Sequence, residues 1–201
     1  PFLHNGPSFP IPYNYSVRLL VEYHPALPEV TRFESVEDLS LSNRSAWADY
    51  DGDGWEDVAV NGPKLYRNVS ASGTPGFVEV TQEVGLGEAS GSPIWGDLNN
   101  DGCLDLVVFG GREQLFYSDC EGGFVDVTQR SGVDDRQTEV SCGGEPNEHA
   151  STQAVALWDF DADGWLDLYL GNGECWRNDR GTYYGDRVFR NRGDGTYADL
   201  S

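Results

Sequence analysis

Asp49-Tyr50-Asp51-Gly52-Asp53-Gly54-Trp55-Glu56-Asp57 is the first of three copies of one nine-residue pattern, D-x-[DN]-x-D-G-x-x-D, in a chain of 201 residues. The second copy occupies residues 97–105 and the third residues 159–167. Oxygen side chains at positions 1, 3 and 5 suit a short segment that wraps around Ca²⁺. Glycine at position 6 permits the sharp turn that brings the backbone carbonyl of position 7 inward. The pattern therefore predicts calcium-binding loops.

The predicted ligands are the residues at positions 1, 3, 5, 7 and 9 of each copy, and up to three Ca²⁺ ions are expected. They are Asp49, Asp51, Asp53, Trp55 and Asp57 in loop 1; Asp97, Asn99, Asp101, Cys103 and Asp105 in loop 2; and Asp159, Asp161, Asp163, Trp165 and Asp167 in loop 3. The alternative is a solvated acidic turn, because Asp and Gly are ordinary turn residues. Three copies in matching context favour calcium.

The residues after each copy distinguish it from an EF-hand. An EF-hand needs a bidentate Glu at position 12 and flanking helices, whereas position 12 here is Val60, Val108 or Leu170. Each loop is followed by a short run rich in apolar and β-branched residues, with glycine within a few residues after it, which indicates a buried strand. The loops are therefore predicted to join two strands, with Asp at position 9 replacing the missing Glu.

Each copy lies within a longer repeat of four predicted strands. In the first repeat these strands are residues 45–48, 57–60, 65–68 and 77–81, and the outer strand of the second repeat is predicted over residues 124–128. The loops begin 48 and then 62 residues apart. Four strands per repeat, at a period of roughly 45 residues in an all-β chain, are typical of β-propeller blades.

Two further motifs recur, with substitutions, in register with the loops. W-x-D-x-D-x-D-G-x-x-D-L-x-V is followed by L-[YF]-R-N and then by G-[TG]-[FY]-x-D-[VL]-T. Over about residues 31–201 these motifs resemble the FG-GAP/VCBS repeat, which builds the integrin α-subunit propeller and bacterial surface proteins. The segment Asn191-Arg192-Gly193-Asp194-Gly195-Thr196-Tyr197 is most similar to the ASPIC/UnbV–cartilage acidic protein type.

The resemblance implies a closed propeller of about seven four-stranded antiparallel blades. We expect three of them here, at about residues 43–88, 89–132 and 150–201, plus a partial one, with a proline-rich arm and a leading strand over residues 1–30. An open arc of blades would leave sheet edges available for association. The chain is therefore interpreted as part of a larger propeller or of an assembly, and self-association through the arc is one hypothesis.

The acidic composition restricts the possible partners. With 34 acidic and 13 basic residues the formal net charge is −21, so nucleic acid is not an expected partner, because phosphate binding requires basic patches. The chain is 12% aromatic with six Trp, which indicates a folded rather than a disordered protein. No apolar run approaches the roughly 20 residues that a membrane-spanning helix needs.

The cysteines and glycosylation sequons suggest an oxidising compartment. We predict the disulfides Cys103–Cys120 and Cys142–Cys175, with buried free thiols or a zinc site as alternatives. Glycosylation sequons occur at Asn14, Asn43 and Asn68. Disulfides, sequons and calcium loops of modest affinity agree with one another, because free Ca²⁺ is abundant outside cells. The expected location is secreted, extracellular or at the cell surface.

The sequence favours a non-enzymatic module that binds a protein or a glycan, mediates adhesion, or forms part of a surface or filament. The alternative is a carbohydrate-active enzyme or lectin, since some carbohydrate lyases resemble this propeller. No G-x-S-x-G or H-E-x-x-H motif occurs, and metal binding already explains the clustered carboxylates. Partners are expected at the propeller-face loops, above all at the insertions 133–152 and 171–186.

Overall fold

The computed structural model describes residues 44–70, 76–110, 112–133, 152–172 and 186–201. The strands in these ranges are β1 Ser45–Ala48, β2 Asp57–Val60, β3 Lys64–Asn68, β4 Phe77–Glu79, β5 Ser92–Gly96, β6 Asp105–Phe109, β7 Gln114–Ser118, β8 Phe124–Asp126, β9 Thr152–Trp158, β10 Asp167–Asn172, β11 Arg187–Asn191 and β12 Tyr197–Asp199. One short helix, α1 Thr128–Ser131, follows β8. None of the described residues forms a helix with the length and apolarity that crossing a bilayer requires.

Several predictions fall on other parts of the chain. The arm and leading strand of residues 1–30, the partial blade before residue 43, the sequons at Asn14 and Asn43, and the Cys142–Cys175 pair all lie outside the described residues. Most of the two insertions at 133–152 and 171–186 lies outside them as well.

The twelve strands form three four-stranded antiparallel sheets. The spatial order is β1-β2-β3-β4 in the first sheet, β5-β6-β7-β8 in the second and β9-β10-β11-β12 in the third. Each strand therefore pairs with its neighbour in sequence, which is the arrangement of a propeller blade. The all-β fold of four-stranded antiparallel blades, predicted from the repeated motifs, is confirmed.

The same strand pairing occurs at the base of all three loops. Position 9 of the loop lies opposite the residue that precedes position 1, in the pairs Ala48 with Asp57, Gly96 with Asp105, and Trp158 with Asp167. Each loop therefore connects the first strand of its sheet to the second across a matched pair. This common register explains why one sequence pattern can serve three separate sheets.

The sheets stack face to face, because alternate side chains of the central strand β6 point into two different cores. Leu106 and Val108 point into a core shared with the first sheet, where Ala59 and Leu65 lie. Val107, between them, points into a second core that holds Leu168 and other residues of the third sheet. All three β6 side chains are fully buried. A fully buried Val or Leu contributes about 1.5–3 kcal/mol, so burial on both faces of β6 stabilises the stack.

Aromatic side chains join loop 1 to the second sheet. The ring of Tyr50, at position 2 of the loop, is nearly parallel to the indole of Trp95, with ring centroids 6.1 Å apart. The Trp95 Nε1–H donates to the Ala46 carbonyl at 3.2 Å. Phe124 completes the cluster. Loop 1 is thereby held between two sheets rather than projecting freely from one.

The third sheet departs from this packing at Trp158. A Cβ on Gly96, the equivalent residue of the second sheet, would lie 2.8 Å from Leu157 Cδ1, so a larger side chain there would have to displace Leu157 of the third sheet. Trp158 instead is 45% exposed and contacts Phe160 and Tyr169 of its own sheet. The sequence difference at this position therefore marks an aromatic surface on the third sheet.

The outer strands of the first two sheets are shorter than predicted. They end at Glu79 and Asp126 rather than at residues 81 and 128. The hydroxyl oxygens of Thr81 and Thr128 accept the backbone N–H groups of Leu65 and Leu115, each at 3.0 Å. A side-chain acceptor thus takes the place of the next backbone carbonyl of the ladder, and the chain turns away.

Candidate metal centres

The three loops share one backbone conformation. Positions 4 and 6 are left-handed in every copy, with φ of 72° and 90° in loop 1, 56° and 88° in loop 2, and 61° and 92° in loop 3. Position 6 is always glycine, but position 4 is Gly52, Asn100 or Ala162. A left-handed alanine costs about 1 kcal/mol or more, so loop 3 holds a strained residue that its sequence pattern does not reveal.

Backbone N–H groups bind the carboxylates of positions 1 and 5. The position-1 carboxylate accepts from position 6, in the pairs Asp49–Gly54 at 2.9 Å, Asp97–Gly102 at 3.0 Å and Asp159–Gly164 at 2.8 Å. The position-5 carboxylate accepts from position 7, in the pairs Asp53–Trp55 at 2.8 Å, Asp101–Cys103 at 2.8 Å and Asp163–Trp165 at 3.0 Å. These bonds fold each loop back on itself and gather its carboxylates on the inside of the turn.

The position-9 carboxylate is buried and anchors the loop to the rest of its sheet. One oxygen accepts the N–H of position 2 and the other accepts an N–H at the end of the third strand. The donors are Tyr50 and Asn68 for Asp57, Leu98 and Ser118 for Asp105, and Phe160 and Asn191 for Asp167, at distances of 2.7–3.2 Å. Each oxygen keeps a further lone pair, so the metal-ligand role stays a prediction beside this structural one.

Burial raises the pKa of Asp57 and of Asp105 to about 6, although the backbone N–H bonds to each carboxylate act in the opposite direction. At position 5 of loop 3 the hydrogen bonds outweigh the effect of burial on the pKa. The N–H of Trp165, assisted by the guanidinium of Arg190, lowers the pKa of Asp163. A cation bound beside Asp57 and Asp105 would favour their ionised form.

Loop 1 brings three carboxylates close together. One carboxylate oxygen from each of Asp49, Asp51 and Asp53 lies within 4.8 Å of the other two. At that separation two ionised carboxylates repel each other by roughly 1 kcal/mol even at the dielectric constant of water. Asp49 Oδ1 is buried and has no hydrogen-bond partner among the described residues. Buried acceptors without donors are rare in folded proteins, and a divalent cation would satisfy this one.

Comparison with known families gives one match. Residues 49–108 match the family model described as FG-GAP-like repeat. This part of the chain is similar to the FG-GAP-like repeat. The matched region begins at the first Asp of loop 1 and ends in β6, so it contains both of the first two loops. The match concerns the repeat and does not distinguish the ASPIC/UnbV type. No curated protein matches the chain.

The third loop resembles the first in its acidic side chains. Oxygens of Asp159, Asp161 and Asp167 lie within 4.8 Å of one another. Loop 3 also touches loop 2, because the Asn100 side chain donates to the carbonyl of Gly164 at 2.8 Å. The candidate metal loops of neighbouring sheets are therefore in direct contact.

The second FG-GAP-like loop is built differently. The Asn99 amide donates to Asp101 Oδ2 at 2.8 Å, which links positions 3 and 5 without an ion. The predicted Cys103–Cys120 disulfide is present, with the two Cα atoms 5.6 Å apart, and it ties position 7 to the turn between β7 and β8. Both sulfurs are consumed by this bond, so they are not metal ligands. Loop 2 thus replaces one carboxylate with an amide and gains a covalent link.

The R-N pair that ends the third strand has roles that sequence reasoning missed. The Asn68 and Asn191 side-chain amides donate to the position-8 carbonyls of Glu56 and Leu166 at 3.0 and 3.1 Å. Arginine, one residue earlier, reaches an aspartate of the loop in both copies. The signal was available, since R-N accompanies Asp at position 3, whereas the second copy has Tyr117-Ser118 with Asn99.

The position of Asn68 bears on its predicted glycosylation. The residue is 5% exposed, its amide nitrogen is bound to Glu56, and its amide oxygen accepts the N–H of Ser70 at 3.0 Å. A glycan on this nitrogen would have to displace those contacts. The sequon at Asn68 therefore carries no weight in the functional argument below.

Proposed function

We propose that the chain is a non-enzymatic, extracellular β-propeller-type module stabilised by calcium in its three D-x-[DN]-x-D-G-x-x-D loops. The ligands would be the side chains of positions 1, 3, 5 and 9 and the carbonyl of position 7. The chemistry that Ca²⁺ supplies is charge neutralisation and cross-linking of a turn. The module would present its face loops to a protein or a glycan.

One observation carries this proposal more than any other. Backbone N–H groups hold the loop carboxylates close together although like charges repel. In loop 1, Asp49 Oδ1 is buried and has no donor among the described residues. A solvated acidic turn would have no reason to bury an acceptor. Hard oxygen donors from four side chains and one carbonyl are the ligand set that Ca²⁺ prefers over softer metals.

The location of the module, the absence of catalysis from the proposal and the association of the module rest on other observations. The Cys103–Cys120 disulfide suits an oxidising compartment. Catalysis is not proposed, because the loop carboxylates accept backbone N–H groups and this proposal assigns them to the metal rather than to acid–base chemistry. Association through a sheet face is compatible with the exposed side chain of Trp158, which packs against the half-buried rings of Phe160 and Tyr169.

A count of bound calcium tests the proposal. Equilibrium dialysis followed by elemental analysis should give three Ca²⁺ per chain. Asp49→Asn combined with Asp53→Asn should reduce the count to two, because the amide oxygens can still accept the loop N–H bonds while two ligand charges are lost. Asp126→Asn is the matched control, since Asp126 also caps a turn by accepting the N–H of Thr128 but lies outside the loops. A count of zero for the wild-type chain would leave the loops as acidic turns.

A further inference from the structure

Two of the three loops form an ion pair with an arginine from the third strand of their own sheet. Arg67 Nε lies 3.2 Å from Asp51 Oδ2 in the first sheet. In the third sheet, Arg190 Nε lies 2.6 Å from Asp161 Oδ2, and its Nη2 lies 3.0 Å from Asp163 Oδ2. Both arginines are the penultimate residue of the third strand, and both contact the carboxylate at position 3 of the loop.

The second sheet changes both members of this pair together. Position 3 is Asn99 rather than Asp, and Tyr117 stands where the others have arginine. The Tyr117 hydroxyl is buried and has no hydrogen-bond partner among the described residues. Compared with loops 1 and 3, loop 2 therefore lacks one carboxylate and one guanidinium. The three copies thus provide a natural comparison of loops with and without this pair of charges.

The consequence is an equal charge at all three sites. Loops 1 and 3 each have four ligand carboxylates and one arginine, and loop 2 has three ligand carboxylates and no arginine, so each sums to a formal charge of −3. If the arginine only oriented the carboxylate, loop 2 could have kept an aspartate at position 3. The joint replacement indicates that the two charges compensate each other.

We propose that Arg67 and Arg190 are resident counter-ions, which reduce the repulsion within loops 1 and 3 when no metal is bound and lower the calcium affinity of those loops toward that of loop 2. The part of this inference that concerns affinity rests on the proposed function. A guanidinium that touches a ligand carboxylate repels the divalent cation that the same carboxylate binds. The three sites are thereby matched, so they fill over the same range of calcium concentration.

Calorimetric titration of the full chain with Ca²⁺ tests the affinity. In the variant Arg67→Gln/Arg190→Gln, two ions should bind about tenfold more tightly than in the wild type, whereas the third, in loop 2, should be unchanged and serves as an internal reference. Lys64→Gln is the control for net charge, because Lys64 lies on β3 but pairs with Glu79 at 2.9 Å. It should leave all three affinities unchanged. Equal or weaker binding by the double-arginine variant would mean that the arginines position the carboxylates, and the inference would be wrong.

Urea unfolding in EDTA tests the counter-ion role without calcium. The variant Arg67→Gln/Arg190→Gln should unfold at a lower urea concentration than the wild type at low ionic strength, and added salt should reduce the difference because it screens the excess charge. Further substitution with Asp51→Asn and Asp161→Asn should restore the midpoint. No loss of stability, or a loss that the asparagines do not restore, would overturn the inference. Because this measurement needs no metal, its result is separate from a failure of the wild-type chain to bind calcium.

Discussion

Removing calcium with EDTA should lower the free energy of unfolding by about 8 kcal/mol when the free ion exceeds the Kd of all three loops a hundredfold, because each site then contributes about 2.7 kcal/mol. The physical reason is that the ions bind the folded loops, whose carboxylates are gathered by backbone N–H groups, and not the unfolded chain. Urea unfolding followed by Trp fluorescence, in calcium and in EDTA, measures the difference.

Magnesium provides the control for this measurement. Mg²⁺ requires a smaller, octahedral site and gives up its water reluctantly, so at the same concentration it should stabilise the protein far less than Ca²⁺. Equal stabilisation by the two ions would indicate general screening of a chain with a net charge of −21 rather than specific sites. Identical midpoints in calcium and EDTA would contradict structural calcium altogether.

Replacing Asp105 with alanine should destabilise the protein by about 2–6 kcal/mol even in EDTA. Its two oxygens accept the N–H groups of Leu98 and Ser118, both at 2.8 Å, in a site where Asp105 itself is fully buried. Leaving a buried donor unsatisfied costs about 1–3 kcal/mol, and this substitution leaves two. Urea unfolding of the metal-free variant measures the loss.

Asp101→Ala in the same loop is the matched comparison. Asp101 is exposed and accepts the N–H of Cys103, so its loss should cost less than about 1 kcal/mol in EDTA, since exposed donors can bond to water. Both variants should lose calcium binding at loop 2. A similar, small cost for Asp105→Ala and Asp101→Ala would contradict the anchoring role assigned to position 9.

The sequence was a good guide wherever a local pattern decides the structure. The three loops and the strands that they connect follow from short-range chemistry, namely the turn glycine at position 6 and the apolar run after position 9. The Cys103–Cys120 pairing was equally accessible, because the two residues lie within one predicted repeat. Repetition supplied the rest, since three copies of one pattern made the four-stranded blade recognisable.

The contacts that the sequence did not reveal join residues far apart in the chain. Asp105 was predicted as a ligand, but its bond to Ser118 depends on how the third strand meets the loop. The Arg190–Asp161 pair joins β11 to loop 3, and the contact of Asn100 with Gly164 joins the loops of two sheets. The left-handed conformation of Ala162 was hidden for another reason, because its φ is imposed by the loop and not by its own preference.

Crystals of the full chain grown in calcium provide the most direct test of the central claim. An anomalous difference map should contain three peaks, one in each loop, each about 2.3–2.6 Å from the oxygens of positions 1, 3 and 5 and from the position-7 carbonyl. In loop 1, Asp49 Oδ1 should be among the ligands. Loops that keep their conformation with water in place of these peaks would contradict the account.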